Sequence, residues 1–166
     1  MSIIALATWI TAAGGGLYLL SIWLIEYDKE FQATAATRLP PLVLISHVTL
    51  AGGGLIVWAG YLVFDNDNLV WLSALTLLLA AMLGSFMATR WLGVYRETRA
   101  IRRAATEHEA VSLSGAVPQP VVTLARPVQI GPPERNFPLP VVIAHGAFAF
   151  ATITIVLLIA SGVVGS

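Results

Sequence analysis

The chain has 166 residues, of which 57% are hydrophobic and 11% charged, with a mean hydropathy of +0.82 and a formal net charge of zero. An ordinary soluble domain carries roughly a quarter charged residues, so this composition excludes one and predicts an integral membrane protein. Cysteine is absent, which excludes a disulfide framework, a thiolate metal site and the four-span enzymes that couple disulfide formation to quinones.

A hydrocarbon core about 30 Å thick needs roughly 20 helical residues to cross. Four segments meet that length, near 3–25, 41–64, 70–93 and 139–163. They predict an all-α fold, a four-helix antiparallel bundle forming one membrane domain over 1–166. The first span has no basic residue before it and its apolar run is too long for a signal peptide, so it is expected to be retained. Between the first two spans lie Lys29 and Arg38, whereas the short connection 65-DNDN-68 has no basic residue. After the third span, 93-GVYRETRAIRRAATEHEAV-111 alternates Arg and Glu without a breaker and is expected to extend that helix beyond the bilayer. His108 on this extension, between Glu107 and Glu109, is expected to be solvated. The proline-rich stretch 115–140 is expected to be irregular or extended.

Charge placement then predicts orientation, because basic residues stay on the cytoplasmic side. Lys29, Arg38, Arg90, Arg96, Arg99, Arg102, Arg103, Arg126 and Arg135 are all the basic residues, and all fall on one side of the predicted bundle. The termini are therefore expected outside a bacterial inner membrane, and the loop 94–138 inside. Trp9, Trp58 and Trp71 near one interface, with Trp23 and Trp91 near the other, are expected to form an aromatic belt.

The spans also repeat. Sliding the first onto the third by 68 positions matches Ala12/Ala80, Ala13/Ala81, Gly16/Gly84, Trp23/Trp91, Leu24/Leu92 and Tyr27/Tyr95. Sliding the second onto the fourth by 98 positions matches Pro40/Pro138, Val43/Val141, Ile45/Ile143, His47/His145 and Ala51/Ala149. Alanine and leucine matches weigh little in apolar helices; the Trp, Tyr, Pro and His matches carry the inference. They predict a tandem duplication of a two-helix hairpin, its halves related by a pseudo-twofold axis along the membrane normal.

His47 lies seven residues beyond Pro40 and His145 seven beyond Pro138, while Gly16 and Gly84 each precede a tryptophan by seven. Seven helical residues rise about 10 Å, so two histidines and two glycines are expected in one layer. An ionisable residue in a span is costly and is a functional candidate by default. Two imidazoles at one depth fit the axial positions of a haem b, since facing helices of a bundle can each supply a ligand. On that reading Gly16 and Gly84 leave space for the porphyrin, and Arg38, Arg90 and Arg135 are candidate partners for the propionates.

On the strength of His47 and His145 within short apolar spans, the chain resembles the small four-helix b-type cytochrome subunits that anchor respiratory or redox enzymes. It is also similar to four-span membrane proteins of high-GC bacteria with a final span of the type 140-PVVIAHG-146; that likeness implies no activity. The cytochrome resemblance implies a redox subunit exchanging electrons with a quinone or a partner protein. Such cytochromes often hold two haems, but two membrane histidines provide for only one.

Two other readings of the same residues stand beside it. The histidines and the clusters 14-GGG-16 and 52-GGG-54 can serve helix packing in an accessory or assembly subunit of a membrane complex. A proton-coupled transporter is disfavoured by the lack of an acidic residue within a span. Expected partners are the lipid bilayer and a second protein or second copy of the chain, not nucleic acid. No hydrolase or transferase constellation stands out.

Overall fold

The computed structural model describes residues 1–31, 37–113 and 132–163, with side chains for all of these except 28–31 and 108–113. The side chains of Lys29 and His108, the whole of Arg126 and most of the proline-rich stretch lie outside the described residues.

The fold is all-α: α1 (Ser2–Phe31), α2 (Pro41–Phe64), α3 (Asp67–Leu113) and α4 (Leu139–Ala160), with a 3-10 turn at Pro133–Asn136 before α4. All four helices are long and apolar enough to cross a membrane. Each boundary has a local cause. Pro40 and Pro138 hold extended backbone just before α2 and α4, and proline at the first helical positions of each gives up an N–H that would be unsatisfied there anyway. Asp65 closes α2 in the left-handed region at φ 50°, its N–H donating to Tyr61 O at 2.9 Å. The side chain of Asn66 then accepts from Asn68 N at 3.0 Å, turning the chain straight into α3. Gly162 at φ +72° ends α4, with Val163 N donating to Leu158 O at 3.1 Å. With 47 residues, α3 is about 70 Å long, more than twice a hydrocarbon core. Its polar part is helical through Leu113.

The molecule is apolar on the outside. Leu42, Ile56, Val63, Phe64, Met82 and Phe150 are highly exposed, whereas the interior is built from small and aromatic residues such as Ala5, Trp9, Ala12, Trp58, Ala74 and Ala80. A lipid-facing surface gains nothing by hiding leucine, and helices in lipid approach through small residues. These features make the chain an integral membrane protein in contact with lipid.

The helices alternate around the bundle. The most extensive packing is α2 on α3 and α1 on α4, with α3 against α4 and α1 against α2 completing the ring; α1 and α3 are diagonal, as are α2 and α4. The burial pattern repeats at the offsets of the sequence match: Ala5 with Ser73, Trp9 with Leu77, Ala12 with Ala80, Trp23 with Trp91, Gly54 with Thr152, Trp58 with Val156 and Tyr61 with Ile159 are all buried. The shared W-L-x-x-Y forms a ring pair in both halves, Trp23 on Tyr27 at 4.5 Å and Trp91 on Tyr95 at 5.3 Å. The two tightest helix pairs, α1 with α4 and α3 with α2, are the same pair under the repeat. Each half therefore packs its first helix on the second helix of the other half.

The expected tryptophan belt is corrected. Trp9, Trp23, Trp58 and Trp91 are buried in the bundle, and of the five only Trp71 is exposed. The indoles fill the space between helices instead. Trp9 and Trp58 belong to one apolar cluster, and Trp23 packs with Leu39 and Leu44 in a second.

Candidate histidine site in the bundle core

His47 on α2 and His145 on α4 project toward one another from diagonal helices, their ring centres 6.2 Å apart and their planes at 74°. Each makes the same bond. Nδ1 of His47 lies 2.8 Å from the main-chain oxygen of Ala80, and Nδ1 of His145 lies 2.8 Å from that of Ala12. A carbonyl oxygen can only accept, so Nδ1 carries the proton and donates it. In the neutral ring that leaves the lone pair on Nε2. Both acceptors come from facing helices, α3 and α1.

Gly16 and Gly84 lie against the imidazoles. A Cβ on Gly16 would lie 3.0 Å from His145 Cε1, and one on Gly84 would lie 3.1 Å from His47 Cε1. Without a side chain at these glycines, the α1 and α3 backbones come close enough for the carbonyl bonds. Gly15 adds a second contact, its Cβ position 3.4 Å from that of His145. Gly14, Gly52 and Gly53, by contrast, face open space, so each glycine cluster packs through only part of its length.

The three arginines lie around the 3-10 turn, Arg38 just before α2, Arg90 midway along α3 and Arg135 in the turn itself. Arg38 meets Glu97 with Nη2 2.8 Å and Nη1 3.0 Å from its carboxylate oxygens, an exposed pair. Arg90 donates from Nη1 to Arg38 O at 3.0 Å and sits over the Phe86 ring at 4.8 Å. Arg135 is half-buried in the 3-10 turn.

Beside them is a residue that sequence reasoning missed. Glu134 is fully buried, accepting from Arg38 N at 2.7 Å and from the Thr37 hydroxyl at 3.1 Å. The indole N–H of Trp23 donates to that hydroxyl oxygen at 3.2 Å. The network ties the approach to α4 onto the approach to α2, across 97 residues of sequence. Glu134→Ala is expected to leave a buried backbone N–H without an acceptor, at about 1–3 kcal/mol, while Glu134→Gln, which keeps an oxygen, costs less. Thermal unfolding of the detergent-solubilised variants measures both.

In the far half of the bundle Thr152 on α4 donates to Thr8 on α1 at 2.9 Å, and Ser2 Oγ and Trp58 Nε1 are buried without a hydrogen-bond partner among the described residues. Among the described residues no three His, Cys, Asp or Glu side chains converge as a metal-binding group, so a metal held at the histidine layer would take two protein ligands. Comparison of the chain with family models, with curated proteins and with solved structures finds no match.

Proposed function

We propose that this chain is a membrane redox subunit that binds one haem b between His47 and His145. The observation that carries the reading is the orientation of the two imidazoles. Both Nδ1–H groups are committed to main-chain carbonyls, the arrangement typical of metal-ligating histidines, in which the outer bond fixes the tautomer and raises the basicity of the ligating nitrogen. With an imidazole–metal bond of about 2 Å, two ligands on opposite sides of one metal have ring centres roughly 6 Å apart, and the observed separation is 6.2 Å. The two histidines thus fit as ligands to one iron, and a planar group held between them would lie in the seam between the α1–α4 and α2–α3 pairs.

Haem supplies one-electron exchange at its iron. The protein's own residues set the conditions for it: the carbonyls of Ala12 and Ala80 hold the ring nitrogens, Gly16 and Gly84 let the backbones reach them, and the surrounding apolar helices keep out water. Arg38, Arg90 and Arg135, which lie around the 3-10 turn, are the candidates for the haem propionates at the near interface. The placement of all basic residues on one side supports an orientation with that interface and the polar extension of α3 in the cytoplasm. There a partner protein can dock, and a quinone can exchange electrons from the bilayer. An absorption spectrum of the solubilised protein from haem-replete cells tests the reading: a reduced α-band is expected, and a haem-free preparation overturns it.

A second reading is favoured by the same bonds. His47 ties α2 to α3 and His145 ties α4 to α1, which is also what an accessory subunit needs to hold its bundle together; interhelical hydrogen bonds of this kind contribute about 0.6–2 kcal/mol each. Histidine substitutions would then weaken the fold and change no spectrum.

A further inference from the structure

We infer that the fold presents the two imidazole planes to a bound iron crossed rather than parallel, and that Ala12, Ala80, Gly16 and Gly84 are the positioning residues that set this angle. The inference rests on the haem reading and specifies its electronic consequence.

Each ring has two independent constraints. The Nδ1–H bond to a carbonyl fixes the direction in which Nε2 points. Each ring also lies over a glycine so closely that a Cβ there would stand 3.0–3.1 Å from Cε1 and 3.4 Å from Nδ1, which limits rotation about that direction. For His47 both constraints come from α3, through Ala80 and Gly84; for His145 both come from α1, through Ala12 and Gly16. Because the two supporting helices are diagonal and related by a pseudo-twofold, the rings are held independently of one another, and they stand at 74°. A planar ligand donates π density to iron in one direction only. Parallel planes therefore split the two iron d orbitals of π symmetry, whereas crossed planes leave them nearly degenerate. In ferric low-spin haem the first case gives a rhombic three-line paramagnetic resonance spectrum and the second a single, strongly anisotropic line with a large principal g value.

The experiment uses the full chain, purified in detergent with its haem and oxidised with ferricyanide, and reads its resonance spectrum at liquid-helium temperature. The large-g line is expected. A rhombic spectrum from protein whose optical α-band is intact overturns the inference while leaving the haem reading in place; absence of the optical band overturns both. Gly84→Ala supplies a second measurement, since its Cβ would press on His47 Cε1 from 3.1 Å and turn that ring. The variant is expected to keep its α-band and shift the large-g line, whereas Gly93→Ala on the same helix, where the new Cβ meets nothing within 4 Å, is expected to leave it in place. A line unmoved by Gly84→Ala shows that the glycine does not set the plane, and overturns the assignment.

Discussion

Replacing either His47 or His145 with alanine is expected to abolish the reduced α-band altogether rather than halve it. On the proposed function, one haem held by two ligands would lose its low-spin state when either is removed, and each truncation also leaves a carbonyl, Ala80 O or Ala12 O, without the imidazole N–H it accepts. The two variants should behave alike because the environments are alike: same ring nitrogen bonded, same acceptor type, same glycine contact. Optical spectra of the purified variants, normalised to protein, give the result. An α-band that survives both substitutions would remove the histidines from the haem site and leave them with their role between helices.

The second large effect is expected at Gly54, where the two halves of the repeat differ in a compensated way. On α4 the equivalent position is Thr152, hydrogen-bonded to Thr8. On α2 it is Gly54, and a Cβ there would lie 2.5 Å from the Thr76 hydroxyl and 3.1 Å from the Trp9 ring. Thr76 is the repeat partner of Thr8, so the difference lies in the next residue: Trp9 on α1 stands where α3 has Leu77. The larger ring has taken the volume of a threonine. Gly54→Thr is expected to destabilise the bundle by about 1–3 kcal/mol through overpacking. Combining it with Trp9→Leu copies the other half's solution, and the double variant should recover stability that neither single change predicts, a coupling expected of residues in contact. Gly53→Thr, which faces open space, is the neutral comparison. Denaturation midpoints in detergent decide it; equal losses at Gly53 and Gly54 would contradict the packing argument.

Much of the scaffold was legible because lipid imposes a simple code. Long apolar runs had to be helices, since no other open structure satisfies its backbone in hydrocarbon, and the matched Pro–His spacings predicted a common layer that the ring contact between His47 and His145 bears out. What escaped was lateral information. Sequence offset aligns Ala12 with Ala80, but an alanine match carries little weight because a side chain without function says nothing about the carbonyl behind it; those two carbonyls are the hydrogen-bond acceptors of the site. Spacing likewise gives the depth of Gly16 and Gly84 but not that the imidazoles lie beside them. The four buried tryptophans fill volume between helices, and position along a helix does not say whether an indole turns inward or toward lipid. Glu134 was missed because its partners, Thr37 and Arg38, are far away in sequence, and a charged residue among prolines resembles any solvated loop.

The alternation of the helices also bears on how the chain is made and where it came from. As α1 and α2 leave the ribosome, His47 has no acceptor until α3 arrives, and Ala12 has no donor until α4, the last helix, is inserted; the first helix waits for the last. Half a chain carries half of each bond. A single ancestral hairpin could have formed this layer only by pairing with a second copy, its histidine reaching across to its twin's first helix. Fusion of two such copies would turn an encounter between molecules into an event within one, and once linked, each half would be free to change alone, as Trp9 with Gly54 in place of Leu77 with Thr152 would then illustrate.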